Sequence, residues 1–564
     1  MAFTEKHVLG EELGQTQSIF RQGFSPSRCL KIQGRAMTYP IFGFAGCAIT
    51  FFGYDTAVMS QVNEDYMLRM GVTSGCGRNA AAIGGLVSLW FGGFAIDGLV
   101  GALLVGYIAD PIGRLKTIQL GCLWGVVGAA LLASAQNMTW LAFARVISAM
   151  GCGHLNTTVP VWTSELADPH LRGAFVAVQF TLAMVGSATT YWMEFGCLKT
   201  QSVAFAWRFP LGFQIIFPLF ILAAAPFYPE SPRHLAKTGD LEGARSVLER
   251  CRLETNEQAI ETEMEEIVSA IRAEPTSTSH SFYSMLFTKD KLHTRRRVIL
   301  GPGVQVMQKL TGIDFIAVSA PNMFALSGFK GDNPALLAGG NWFGYIASLA
   351  LSIYLCDRVG RRKLMLTGGL LMCIVLIVGG VLSQETIMHS NNDPALATEF
   401  GSGVATILYI YSFIYGSTPR RAILLTFFSI LVGSIQPRSS LWASRSKGAA
   451  LATFAFSIAG GTIIMIIPYL IDAIGFWVFI LYILFALINL ALVAPIYLFY
   501  VGQYCLYLQI AYCVYSQHTQ TANRPLAQLD ILFSSDSYLS WRVERNFIQM
   551  NITSVFTVSY SSRT

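Results

Sequence analysis

Asp55 and Asp97 are carboxylates set inside apolar runs. A charge within a membrane-length apolar segment is costly and functional by default, which makes Asp55 the leading candidate for handling a proton. For Asp55 the competing readings are a structural ion pair and an end-of-helix position facing water. Asp97 either pairs with a cation across the bundle or faces the cavity. A second signal is a repeated joint. Asp110, Gly113, Arg114 and Lys116 read D-x-x-G-R-x-K, and Asp357, Gly360, Arg361 and Lys363 read the same, each copy after a long apolar run. One such joint in each half points to a two-half membrane transporter. The sequence carries no metal-ligand cluster, nucleophile constellation or phosphate-cradling loop, so an enzyme is disfavoured and no cofactor or metal is expected.

The elements that must position these residues are membrane helices. The chain has 564 residues, 53% of them hydrophobic and only 13% charged, where a soluble protein carries about 25% charged residues. The charge sits in the tails, the centre and short joints, between apolar runs long enough to cross a bilayer at about 20 residues each. Runs fall at about 38–60, 86–109, 117–136, 139–161, 174–195 and 207–227, and again at 298–326, 334–356, 364–384, 402–435, 449–473 and 475–501. The expectation is an all-α membrane protein with twelve transmembrane helices, six plus six. Its parts are a tail at 1–37, a first bundle at 38–227, linker helices at 228–297, a second bundle at 298–501 and a C-terminal tail at 502–564. Basic joints at Arg114, Lys116, Arg172, Arg295–Arg297, Arg358, Arg361–Lys363, Arg445 and Lys447 all fall on one side of that arrangement. By the positive-inside rule that side is cytoplasmic, as are both termini. The net charge of +6 is explained by these joints, and no nucleic acid partner is expected. The eleven cysteines are scattered, several inside apolar runs, and read as small apolar fillers. In the linker, Met264, Ile267, Ala270 and Ile271 have helical spacing, which predicts short helices against the cytoplasmic face. Asn137-Met138-Thr139 is a glycosylation sequon in an outer loop too short for its use.

A series of motifs lies in order around these joints: Phe52-Gly53-Tyr54-Asp55, Gly106…Asp110…Gly113-Arg114, Arg145…Gly151…Gly153, Pro160…Ser164-Glu165…Arg172-Gly173, Pro229-Glu230-Ser231-Pro232-Arg233 and Gln305…Gln308…Gly312. Together they resemble the sugar porter family of the major facilitator superfamily, over about residues 40–500, and its filamentous-fungal members most. The resemblance implies the major facilitator fold, two six-helix bundles around a central cavity, with the substrate site near the midplane. It implies that Asp55 is the proton site and Arg145 its partner, since the family's proton symporters resemble this chain in having Asp there. A carboxylate beside a fixed cation stays ionised, and weakening the pair lets it take a proton. Asp110, Arg114, Glu165, Arg172, Asp357, Arg361 and Arg362 match the family's cytoplasmic gate, though basic joints also occur in most membrane proteins. Ser231-Pro232 fits an N-cap followed by proline at the first helical position. The expected function is proton-coupled symport of a monosaccharide or related sugar across the plasma membrane. The partners are the sugar, the proton and the bilayer, with the oligomeric state unassigned. Carriage of a polyol, quinate-like acid or disaccharide is the alternative, as is a non-transporting sugar sensor.

The pocket departs from the family pattern. Gln308 matches the family's sugar-binding glutamine, but Lys309 stands where a second glutamine is usual and Asp314 where an asparagine is usual. Val318 and Ser319 replace a tyrosine pair, and Phe180 occupies a glutamine position, with Gln179 beside it. Tyr345 takes the corresponding place in the eighth run, with Asn341 about one turn away. Phe52, Gln179, Gln308, Asp314 and Asn341 are therefore the expected substrate contacts, because sugar hydroxyls need buried polar partners. Family wording also breaks between Thr418 and Arg445. There the family's P-T-E-V-F-P-L-G, read one base out of frame, spells Q-P-R-S-S-L-W, so residues 419–443 read as a frameshifted or mis-spliced stretch. Residues 501–520 read as a retained intron, or else as a further hydrophobic segment.

Overall fold

The computed structural model describes residues 34–58, 97–167, 172–200, 202–252, 257–272, 302–303, 305–306, 308–326, 329, 331–359, 361–389, 394–417, 445–474 and 487. Residues 419–443 and 501–520 lie outside them, as does the twelfth run except for Leu487. Every long regular element among the described residues is a helix. Helix α1 spans Arg35–Ala57. A π turn, Asp97–Ala102, leads into α2, Leu103–Ile112. They are followed by α3, Arg114–Ala133, α4, Met138–Leu166, and α5, Arg172–Leu198. The sixth run is two helices, α6, Val203–Phe213, and α7, Ile216–Ala224. Pro218 causes the break, because it has no amide to donate to the Gln214 carbonyl four residues earlier. The sequence spacing predicted one unbroken span there.

The linker forms α8, Pro232–Lys237, α9, Leu241–Cys251, and α10, Glu257–Arg272. Ser231 caps α8, accepting the His234 amide, with Pro232 in the first turn. Ile260 and Ile267 of α10 are buried with Ala236, Ala244 and Leu248, and Met264 and Ile271 pack on that cluster. The predicted apolar face is thus the docking face. Arg252 ties this layer to the bundle: Nη1 donates to the Leu166 carbonyl at 3.0 Å and Nε to Glu263 at 2.7 Å.

The second half comprises α11, Ile313–Leu326, α12, Asn333–Val359, α13, Arg361–His389, α14, Pro394–Ser417, and α15, Arg445–Ile474. Among the described residues, Arg114–Ala133, Ala204–Phe227 and Thr367–Thr386 are long and apolar enough to cross a membrane. Large apolar side chains such as Phe143, Leu370 and Val381 face outward, as a lipid-facing surface requires. Each half has its own core, one around Phe44, Phe51 and Trp162 and one around Phe324, Leu408 and Tyr411. Among the described residues the halves meet along two seams, α5 against α12 and the π turn with α2 against α15. Asn137 of the sequon caps α4, its Oδ1 accepting the Trp140 amide at 2.8 Å.

Candidate functional site

The first constellation sits where α1 ends. The Val58 amide closes the last turn on the Tyr54 carbonyl, and side chains of the neighbouring helices add donors to the carbonyls around it. Here Ser187 of α5 donates to the Gly53 carbonyl at 2.8 Å and Thr190 to that of Tyr54 at 3.3 Å. Arg145 of α4 donates from Nη2 to the Asp55 carbonyl at 2.9 Å. The same guanidinium holds the Asp55 side chain, Nη1 to Oδ2, at 2.9 Å. Ser148, one turn along α4, donates to Asp55 Oδ1 at 2.6 Å. All three side chains are buried. An i, i+3 pair on one helix face thus grips both carboxylate oxygens of the next helix. The sequence pointed to Asp55 and Arg145 and missed Ser148, whose only signal was its place three residues after Arg145.

The second constellation is the first D-x-x-G-R joint. Gly113 turns the chain from α2 to α3 with φ +104°, a conformation that other residues adopt only with strain. A Cβ at Gly113 would lie 2.7 Å from Glu230 Oε2 and 3.0 Å from His234 Nε2. Arg114 pairs with Asp110 at 3.0 Å and with Glu165 at 3.2 Å, which joins the end of α2, the start of α3 and the end of α4. Glu230 completes the knot. Its Oε1 accepts the Arg114 amide at 3.0 Å and its Oε2 the Leu115 amide at 3.1 Å. A carboxylate on the first amides of a helix sits where the helix dipole favours negative charge. Burial nevertheless pushes the Glu230 carboxyl up from its ordinary value, against the pull of the Ser231, Leu115 and Arg114 amides and the Arg114 charge. Burial and, next, the Arg114 charge lower the His234 imidazole to about 4. Glu230 was quoted with its motif but given no role. Nothing short of the fold shows that its carboxylate reaches α3.

The third constellation lines a pocket of about 300 Å³, open mouth included, formed by α11, α12 and α14. Ile313, Ala320, Ala338 and Trp342 supply apolar walls, and Asn341, Tyr345 and Ser412 polar ones. Gln308, just before α11, donates to the Tyr415 hydroxyl at 3.0 Å, and the Tyr345 and Tyr415 rings lie 6.0 Å apart. Buried polar atoms normally have a hydrogen-bond partner. Gln305 Oε1, Gln308 Oε1, Asn341 Oδ1 and Ser412 Oγ are buried without one among the described residues. Asn341 thus lines the pocket, with Ser412 and Trp342 as companions the sequence did not single out, and Gln308 is held by Tyr415, whose ring neighbours that of the lining residue Tyr345. Gln179 donates from Nε2 to Thr163 at 2.8 Å, and Phe52 packs in the first half's core. The side chains of Asp314, Arg172, Asp357, Arg361 and Arg362 lie outside what the structure describes. Among the described residues no group of three or more His, Cys, Asp or Glu is placed to hold a metal ion.

Comparison with known proteins places this arrangement. A family model described as sugar (and other) transporter matches residues 43–509. The MFS-type transporter criB of Aspergillus cristatus is 29% identical over 66% of this chain and 77% of its own. The sugar transporter STL1 of Saccharomyces cerevisiae is 25% identical over 93% of this chain and 86% of its own. The proton:xylose symporter XylE, solved with 6-bromo-6-deoxy-D-glucose bound, superposes with a TM-score of 0.65 at 18% identity, covering 81% of this chain and 95% of that one. An inward-open structure of XylE from E. coli gives 0.62 over 88% and 99%. These likenesses give the fold, that of the major facilitators.

Proposed function

The chain belongs to the sugar (and other) transporter family, and from that membership we propose that it carries a monosaccharide or related polyhydroxy compound by proton-coupled symport. It is an integral, multi-pass membrane protein of the major facilitator fold, and a transporter rather than an enzyme. In this reading it sits in the plasma membrane with the D-x-x-G-R joints and both termini in the cytoplasm. The buried Asp55–Arg145–Ser148 constellation carries the coupling half of the reading. A proton on Asp55 removes the charge that holds the Arg145 guanidinium and loosens α1 from α4. The substrate half is supported by the unpartnered amide and hydroxyl oxygens around the second-half pocket, which suit a ligand rich in hydroxyl groups. The symporter neighbour and the named sugar transporter among its relatives agree with this reading. In it Asp110, Arg114 and Glu165, with Arg172, Asp357, Arg361 and Arg362, close the cytoplasmic side and separate when it opens.

Uptake of a panel of labelled sugars and polyols in transporter-deficient yeast, with and without a protonophore, tests the proposal. The expected result is accumulation that collapses with the protonophore and is absent in Asp55→Asn. Accumulation indifferent to the protonophore overturns symport. Absence of uptake, with the protein at the cell surface, overturns transport in favour of a sensor.

A further inference from the structure

Asp97 opens the π turn that leads into α2, and its side chain has a partner in the other half. Ser457 of α15 donates to Asp97 Oδ2 at 2.5 Å. We propose that Asp97 is a second proton-binding site, which carries its proton while the seam between α2 and α15 is closed. The site stands independently of the symport reading; only its use in the transport cycle rests on that reading.

Asp97 is 5% exposed, and 13 residues, about 20 Å of helix, separate it from Asp110 at the joint. Ser457 is the single hydrogen-bond donor to its carboxyl among the described residues, since Oδ1 is buried without a partner. The charges that act on Asp97 are those of Asp55, Arg145 and Lys309. Asp55 has the same sign, and Arg145 is held on the Asp55 carboxylate and carbonyl. No ion pair or hydrogen bond joins Lys309 to Asp97; the lysine ammonium lies 4.0 Å over the Phe456 ring. The Cys152 thiol of α4 lies near both acids and brings no positive charge. The other charged residues of α2 and α15, Asp110, Arg445, Lys447 and Asp472, stand at least 10 positions from Asp97 or Ser457. An ionised carboxylate buried with one donor and no paired cation is costly, and the group escapes that cost by taking a proton. Oδ2 then accepts from Ser457 as a carbonyl oxygen, and the proton rests on Oδ1.

Closure of the seam and protonation are linked by where the two partners are anchored. Asp97 belongs to the first half, its backbone packed on α4: a Cβ at Gly153 would lie 2.3 Å from the Asp97 carbonyl oxygen and 2.7 Å from Gly101 Cα. Ser457 moves with α15. When the seam parts, Ser457 leaves and water reaches the carboxyl. The O–H bond at Oδ1 breaks, its electron pair stays on the oxygen, and the proton passes to water. Closing the seam takes a proton back. Asp55 is gripped within the first half, whereas Asp97 lets protons act between the halves.

Two measurements on the full-length protein purified in detergent test this. The infrared spectrum of the parent minus that of Asp97→Asn isolates one carboxyl, because the other acids cancel. At neutral pH it is expected to show the carbonyl stretch of a protonated acid, and Ser457→Ala is expected to shift that band by removing the donor. Absence of the band overturns the site. Should Asp97→Asn fail to fold, the parent minus Ser457→Ala spectrum decides, because a protonated Asp97 gives a shifted pair there and an ionised one does not. Melting midpoints between about pH 5 and 8 give the second readout. A carboxyl that is protonated when folded and ionised when unfolded makes stability fall as pH rises. Asparagine has the same shape and no proton to lose, so the midpoint of Asp97→Asn should gain on the parent's as pH rises. A constant difference overturns the site. The band and the gain in a protein whose uptake ignores a protonophore would keep the site and remove only its use in symport.

Discussion

The grip on Asp55 is made of single side chains, so it is open to single substitutions. Ser148 supplies one charge-assisted bond, and such bonds contribute about 1.5–3 kcal/mol. If uptake is proton-coupled as proposed, Ser148→Ala should therefore slow it about tenfold or more without changing the amount of protein at the surface; an unchanged initial rate would show that Arg145 alone sets the carboxylate. In the joint, His234 makes stability depend on pH. Its folded-state value is about 4 against an ordinary 6.5. Between those values the unfolded chain takes a proton that the folded chain does not, so stability is full above 6.5 and falls as pH drops toward 4. His234→Gln should flatten that stretch of a melting-midpoint profile, and an unaltered slope would assign it to other groups. At this scale a charge in an apolar run was legible, and the fold brings the two that were singled out, Asp55 and Arg145, together. The neutral side chains beside the candidate sites, Ser148, Ser412 and Tyr415, were not legible, because a hydroxyl in a membrane helix costs little and leaves no pattern.

At the scale of elements, the joint between α2 and α3 depends on Gly113. Any other residue there meets both the positive φ and the Glu230 carboxylate that the α3 amides hold in place. Gly113→Ala should cost on the order of 1–3 kcal/mol, read as a lower melting midpoint with loss of uptake. A variant as stable as the parent would mean that Glu230 swings aside at no cost. Long apolar runs made some spans legible to within about five residues: α4 and α5 were expected at 139–161 and 174–195 and lie at Met138–Leu166 and Arg172–Leu198, whereas α14, expected from 402, begins at Pro394. Two local features escaped that reading. The break between α6 and α7 follows from Pro218, a backbone effect that hydropathy does not register. The π turn at Asp97–Ala102 accompanies the close approach of Gly101 to Gly153, and such turns recur at functional sites. Neither glycine announces its partner in the sequence.

Among the described residues the two halves meet along two seams, and a carrier working by alternating access must open a seam in each cycle. The seam between α5 and α12 is built mainly from packing. The Trp192 and Phe343 rings lie 5.8 Å apart, Tyr191 donates to the Ala335 carbonyl at 2.8 Å, and a Cβ at Gly339 would come within 2.7 Å of the Trp192 ring. At its outer edge Lys199 and Asp332 pair at 3.0 Å, but both are more than half exposed. Exposed pairs contribute only about 0–1 kcal/mol, so this one marks the seam without holding it. Lys199→Ala should leave uptake within about threefold of the parent. A covalent link at the same place should behave differently, since no thermal opening breaks it. In a Lys199→Cys/Asp332→Cys variant, a short cleavable bis-thiol reagent should arrest uptake, and cleaving the link should restore it, with each single-cysteine variant unaffected. Full uptake in fully cross-linked protein would mean that this edge stays shut throughout the cycle, and that the movement belongs to the seam of α2 and α15, where Asp97 meets Ser457.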